Sequence, residues 1–325
     1  MDLLSRLLDL MPVSGQLDAR CHLGAPWRIE GAQGTAREIH YHVLLSGEAL
    51  FEDGAGPPLT MRPGDILMLP SGAEHVLHDG SGARSIPSTK QFVAGFELVS
   101  NQGGGAPADV LCGRFLLPAM PRQLIRDHLP GRLLIRTANG SNEAGDAPAG
   151  NRLTRLVELM REEANELGPG SMALVNHLSG ALFALAMRFA SESGEPPRGL
   201  LALAARPRLQ PALSAMFDAP EHPWSLPELA ALCHMSRATF ARHFDEAIGR
   251  SASDLLTEIR MTMAGRLLAE GGMAVAEIGE RVGYQSDAAF QRVFKRQTGL
   301  TPAQWRTQSR ERERERGAQP EGEVV

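Results

Sequence analysis

Residues 225–251 read SLPELAALCHMSRATFARHFDEAIGRS and residues 274–302 read AVAEIGERVGYQSDAAFQRVFKRQTGLTP. Laid over each other at an offset of 50, they match Ser236 with Ser286, Phe240 with Phe290, Arg242 with Arg292, Phe244 with Phe294 and Gly249 with Gly299. In each copy a short amphipathic helix leads through a tight turn to a serine. A serine there can cap a second helix, because its oxygen accepts from an otherwise orphan first-turn amide. The paired phenylalanines stand four apart, so both rings share one helix face and bury together. Gly249 and Gly299 are the residue type that ends a helix in a left-handed conformation. Each copy therefore predicts a helix-turn-helix whose second helix keeps one face for solvent.

That face carries Arg237, Ala238, Ala241 and Arg242 in the first copy, and Asp287, Ala288, Gln291, Arg292 and Lys295 in the second. Arginine and glutamine can make paired hydrogen bonds to base edges, and alanine lets a helix approach a thymine methyl. Lys295 suits phosphate better. The second turn holds one residue more than the first, around Gly283 and Tyr284. Between the copies Leu255, Ile259, Met263 and Leu267 recur every four residues, as on an amphipathic helix. Such a spacer would hold two recognition helices about 34 Å apart, one turn of DNA. Residues 201–316 hold 16 Lys+Arg against 14 Asp+Glu, so basic character is local to the recognition helices.

The 205–310 region resembles the DNA-binding domain of AraC/XylS-family transcription regulators, through LAALCHMSRATFARHF, IRMTMAGRLL and IGERVGYQSDAAFQRVFKRQTGLTPAQWR. The resemblance implies that the eight exposed residues named above other than Lys295 face double-stranded promoter DNA, with Asp287 an unusual reader, and that RNA polymerase is a partner of an activator.

At 325 residues the chain has room for two domains and a connector, and 43% hydrophobic residues can fill two cores. MDLLSRLLDL scatters charge as no secretory signal does, and no apolar run of membrane-spanning length stands out. Three cysteines form no paired framework, which fits a reducing cytoplasm. The tail from 311 to 325 alternates charge without apolar partners and reads as disordered.

Up to about residue 118 the chain predicts short strands broken by Gly and Pro: PWRIE, REIHYHVLLSG, EALFEDG, LTMRPGDILMLPSG and EHVLHDG. Their spacing implies an antiparallel sandwich or barrel. The Gly, Ser, Ala and Pro-rich stretch from 80 to 110 reads as a long loop. Two helices follow, 152–167 and 171–193, then a linker at 194–204. On the second helix Leu174, Leu178, Leu182, Leu185 and Phe189 form one apolar side, with Phe183 and Met187 opposite. A helix apolar on more than one side needs several partners, and one candidate is the same hairpin of a second copy in a homodimer.

Gly64, Pro70, Gly72, His75 and Asp79 keep the second cupin motif, G-x5-P-x-G-x2-H-x3-N, with aspartate in the last place. Residues 1–193 thus resemble the cupin-type sensor domains that precede DNA-binding domains in AraC-like regulators. The expected fold class is α+β: an antiparallel β cupin-like barrel with a helix pair, then an all-α domain with two helix-turn-helix units.

His40 and His42, spaced from Gly34 as in the first cupin motif, share a strand face that His75 can join. With Cys21 nearby they would suit Zn, Cu or Fe. The carboxylate ligand of that motif is missing, since Glu48 directly follows Gly47 at the strand turn. This counts against the alternative of a metal-dependent cupin enzyme fused to a DNA-binding domain. His22 and His78 are further candidates for effector contact. Beside Arg20 and His22 a Cys21 thiolate would be favoured, making it a redox trigger. The ARCHLGAPW context resembles a reactive-chlorine-responsive branch of AraC-like regulators, in which Cys21 matches the oxidant-sensing position. Cys112 and Cys233 read as core packing.

Overall fold

The computed structural model describes residues 2–10, 12–35, 37–118, 129–137, 148–166, 168–192 and 206–318. They fall into two units, one running from Pro12 through the helix pair, the other joining residues 206–318 to residues 2–10. The expected linker at 194–204 lies outside the described residues.

Three long strands of nine to eleven residues, with shorter ones of three to six, build the first unit. Its seven-stranded sheet has the order β11-β6-β3-β10-β1-β9-β8, and a four-stranded sheet has the order β2-β7-β4-β5. The strands are β1 (Ser14–Gly24), β2 (Arg28–Gly31), β3 (Glu38–Ser46), β4 (Ala49–Glu52), β5 (Leu59–Met61), β6 (Ile66–Leu69), β7 (His75–His78), β8 (Ser88–Val93), β9 (Phe96–Asn101), β10 (Pro107–Leu116) and β11 (Leu133–Ile135). Among the described residues every pairing is antiparallel except β1 with β9. Trp27, Phe51, Leu67 and Leu77 fill the space between the sheets. The 80–110 stretch is largely strand, not loop: β8 and β9 pair from Ser88↔Asn101 to Val93↔Phe96. β8 is exposed along the sheet edge, and β9 buries Phe96 and Val99 three positions apart, so neither shows a period-two apolar alternation.

Helices α2 (Pro148–Glu166) and α3 (Ser171–Glu192) pack on each other, and α3 lies along β1. By length and composition Ser171–Ser191 could cross a membrane, with mean hydropathy 1.3. Here it is tied to the sheet by polar contacts: Asn176 Oδ1 accepts from the Leu17 amide at 3.0 Å, and Ser179 Oγ meets the Tyr41 hydroxyl at 2.8 Å. A side chain at Gly15 would collide with Ser179 and the backbone of Gly180, so this glycine permits the approach. The buried face runs through Val175, Ser179, Leu182, Phe183, Ala186, Met187 and Ala190. Leu174 is exposed, and Leu178, Leu185 and Phe189 are half-buried, so of the leucine side only Leu182 is buried, while Phe183 and Met187 opposite are both buried. Small residues set the close face.

In the second unit a 3₁₀ turn (Pro207–Leu209) precedes α4 (Gln210–Asp218), α5 (Leu226–Leu232), α6 (Arg237–Ile248), α7 (Ala252–Glu270), α8 (Val275–Arg281), α9 (Asp287–Thr298) and α10 (Pro302–Ala318). The last helix continues to Ala318, well into the stretch expected to be disordered. The N-terminal helix α1 (Leu3–Leu10) also belongs here and packs on α4. Its Leu7 is buried, Arg6 pairs with Asp218, and the Asp9 carbonyl accepts from Arg266.

Candidate functional site

The two recognition helices are α6 and α9, and local chemistry fixes both ends of each. Ser236 Oγ accepts from the Thr239 amide and Ser286 Oγ from the Ala289 amide; Gly249 and Gly299 close the helices at φ +68° and +77°. Phe240 and Phe244 are buried with ring centroids 5.5 Å apart, and Phe290 and Phe294 with centroids 5.7 Å apart. Trp305 seats the second pair, its centroid 5.8 Å from Phe294 and its indole N–H donating to the Gly265 carbonyl.

The turns are built alike up to one point. Met235 N donates to Ala230 O and Tyr284 N to Gly279 O, each at 2.9 Å, around left-handed His234 (φ +53°) and Gly283 (φ +88°). This is the bond that closes a Schellman motif. After it the first copy has Met235 before its cap, and the second has Tyr284 and Gln285. The extra residue therefore lies beyond the left-handed turn.

With the aromatic face inward, Arg237, Ala238, Ala241 and Arg242 on α6 are exposed, as are Asp287, Ala288, Gln291, Arg292 and Lys295 on α9. Among the described residues Arg237, Arg292 and Lys295 make no ion pair, while Arg242 Nε stands 4.0 Å from Glu246 Oε1. Gln291 Nε2 donates to Asp287 Oδ2 at 2.8 Å. A carboxylate can only accept, so this contact orients the amide and leaves Gln291 Oε1 and one N–H facing outward.

In the other unit a cavity of about 570 Å³ opens between the sheets. Cys21, Cys112, His40, His42, His75 and Trp27 line it, together with Asp18. The β1–β10 register places Cys112 opposite Ala19, one step diagonally from Cys21, and the β10–β3 register places Cys112 opposite His42. The Cys21 thiol beside it, and then burial, push the Cys112 thiol well above the usual range. Cys112 is therefore a partner in the cavity, a role its apolar neighbours in the chain do not reveal.

His75 Nδ1 lies 3.0 Å from the Ala73 carbonyl, His75 Nε2 lies 2.8 Å from His42 Nε2, and His42 Nδ1 lies 3.1 Å from Cys112 Sγ. The carbonyl only accepts, so His75 Nδ1 carries a proton. Burial pushes both imidazoles toward the neutral form, strongly for His42, which also faces His75 and His40. In neutral rings His75 Nε2 then accepts from His42 Nε2–H, and His42 Nδ1 accepts the Cys112 thiol proton. Asp18 is pushed up to about 6 by burial, which outweighs the Arg114 guanidinium 3.2 Å away.

Three expectations about this cavity change. The metal set of His40, His42 and His75 does come together, but His42 and His75 are spent on each other. Among the described residues no three His, Cys, Asp or Glu side chains are disposed to hold a metal ion. Glu48 is exposed beside the Gly47 turn and supplies no ligand. The donor set thus does not fit a cupin metal. Arg20 and His22 do not activate Cys21, because strand alternation turns them to the opposite face. There Arg20 forks onto Asp109 at 2.7 and 3.2 Å, and His22 Nδ1 stands 3.6 Å from the same carboxylate. His78 also lies outside the cavity, accepting from the Gly80 amide and facing Glu52. Cys233 is buried at the end of α5, as expected.

Residues 2–192 match the family described as Cupin, and residues 229–308 match the one described as Helix-turn-helix domain. The chain is 30% identical to the RCS-specific HTH-type transcriptional activator RclR of Escherichia coli K12, over 96% of this chain and 99% of that protein. It is 28% identical to the HTH-type transcriptional regulator MtrA of Neisseria gonorrhoeae, over 94% and 98% of the two chains. Among solved structures, the DNA-binding domain of AdpA in complex with a target DNA is 31% identical over 34% of this chain and 98% of that one, with a TM-score of 0.30. The chain belongs to the AraC family of transcriptional regulators, with an N-terminal cupin domain and a C-terminal helix-turn-helix DNA-binding domain.

Proposed function

We propose that this regulator reads an asymmetric promoter site through α6 and α9 and is switched by an oxidant reacting in its cupin cavity. The observation that carries the switch is the meeting of Cys21, Cys112 and His42 across three adjacent strands. Cys112 is held as a thiol, which leaves Cys21 to react first. A hypochlorous acid molecule would transfer chlorine to the Cys21 sulfur and leave as water. Cys112 would then displace chloride from that sulfur, forming a disulfide, while His42 Nδ1 receives its proton. A further cavity effect on the DNA-binding unit requires only that the oxidised and reduced sensors favour different states.

On DNA, Arg237, Arg242, Gln291 and Arg292 would approach base edges, and Lys295 a phosphate. The acid at position 287 orients Gln291 and is not itself a reader. The half-buried stripe of Leu178, Leu185 and Phe189 on α3 supports the expected homodimer. Acting in the cytoplasm on promoter DNA and with RNA polymerase as an activator, the chain has no enzymatic step assigned to it.

Selection of genomic fragments bound by the full chain, reduced and after hypochlorite, tests both halves. The expected outcome is one asymmetric motif whose recovery changes on oxidation in the parent and not in Cys21→Ser. An identical oxidation response in that variant would remove the cysteine switch, and recovery without any motif would remove the readout.

A further inference from the structure

Arg260 sits midway along α7, on the side where the two helix-turn-helix units meet. Its Nε donates to the Pro220 carbonyl at 2.6 Å, and one terminal nitrogen reaches the His222 carbonyl at 2.9 Å and the Glu221 carbonyl at 3.4 Å. Its guanidinium carbon lies 5.7 Å from the Tyr284 ring centroid. Pro220 to His222 belong to the loop that delivers Ser225, the cap of α5. Tyr284 belongs to the turn between α8 and α9. One side chain thus ties the entry of the first unit to the turn of the second.

Backbone closes on backbone at the same place. A Cβ at Gly283 would stand 2.5 Å from the Glu221 carbonyl oxygen and 2.9 Å from an Arg260 nitrogen, so only glycine lets the turn and the loop touch. Burial lowers the affinity of Arg260 for its proton, and the Tyr284 phenol and the Glu221 carboxylate offset this only in part. A planar fork suits this work better than an ammonium, since it can address several carbonyls and stack on a ring together.

We propose that Arg260 is a positioning residue that sets the separation and phase of the two recognition helices, and thereby the spacing of the two half-contacts on DNA. This rests on the reading that α6 and α9 engage one duplex together. The connecting helix alone fixes the distance along its axis, but each unit could still roll about that axis. The clasp opposes the roll by holding the first unit's loop against the second unit's turn.

The test uses the full chain and the duplex it selects from a random-sequence library. Two derivatives carry one base pair inserted or deleted between the half-contacts, which shifts one by about 3.4 Å and rotates it by about 34°. The parent is expected to lose about tenfold or more in affinity on either change, as for a lost base contact. In Arg260→Ala and Arg260→Lys that penalty should fall to about threefold or less, although both bind the original site more weakly. Arg260→Lys keeps the charge, so general attraction to phosphate cannot account for its loss of discrimination. An undiminished spacing penalty in both variants overturns the proposal. So does failure of both to fold, which would assign Arg260 to stability alone. If the parent selects no duplex, the DNA reading itself has failed and the clasp is not the cause.

Discussion

Joining Cys21 to Cys112 should make the cupin unit measurably harder to unfold. The two lie 91 positions apart in the chain. Closing a loop of that length removes enough unfolded-state entropy to stabilise the fold by about 4.6 kcal/mol at 25 °C in the chain-entropy treatment. The pair is diagonal across β1 and β10, so some of this is lost to local strain as the strands adjust. A net gain of about 2–4 kcal/mol is expected, or an upward shift of roughly 5–15 °C in the melting temperature of the cupin unit. The assay is thermal melting of the full chain, reduced and after stoichiometric hypochlorite, with intact mass recorded on the same samples. The parent should lose about 2 Da, two thiol hydrogens, and melt higher; Cys21→Ser and Cys112→Ser should do neither. A parent that oxidises with no rise in melting temperature, or a Cys112→Ser variant with the same rise, would refute the reasoning.

Arg292→Ala should weaken specific binding by about 1–3 kcal/mol if its guanidinium pairs with a guanine, measured by anisotropy on the selected duplex against the parent. Asp287→Ala should relax base preference only at the position that Gln291→Ala also relaxes, because the carboxylate acts by orienting that amide; a change elsewhere in a selection experiment would make Asp287 a reader in its own right. Phe290→Ala, which empties a fully buried site against Phe294 and Tyr284, should cost about 3–5 kcal/mol in urea unfolding of the DNA-binding unit. Asp18 has its folded carboxyl raised from 3.8 to about 6, so the folded state holds the proton more tightly than the unfolded chain. Stability from this group is present at low pH and lost as pH rises from about 4 to about 6. Asp18→Asn should abolish that share of the loss, read as the difference between variant and parent in urea midpoint across the window; an unchanged difference would mean that burial does not govern the group.

The second unit was legible because its determinants are local. Serine caps, phenylalanines four apart and left-handed glycines each act within one helix, and their repetition at one offset leaves little freedom. The cupin motif likewise announced the Gly64 to Asp79 segment. What escaped was set by register and by close approach. Cys112 looks like core among its chain neighbours, and only strand pairing brings it beside Cys21 and His42. Arg20 and His22 look like activators of Cys21 until the pleat turns them away. β8 gave no signal because an exposed edge needs no apolar alternation, and β9 gave none because its buried Phe96 and Val99 stand three apart. On α3 the apolar residues on two sides left open which one meets the sheet, and Ser179, with Ala186 and Ala190, lies on the side that does.

The placement of α1 bears on how the molecule can be dissected. A fragment starting at residue 206 would carry both helix-turn-helix units but not Leu7 or the Arg6 partner of Asp218, so it would expose a strip of α4 that the intact chain covers. Among the described residues this unit holds residues 2–10 and then residues 206–318, so α1 and α4 are neighbours in space but far apart in sequence. Cleavage ahead of residue 206 would leave residues 206–318 held to the remainder through α1, by its packing on α4 and the Arg6–Asp218 pair, so the two pieces would part only when that packing gave way.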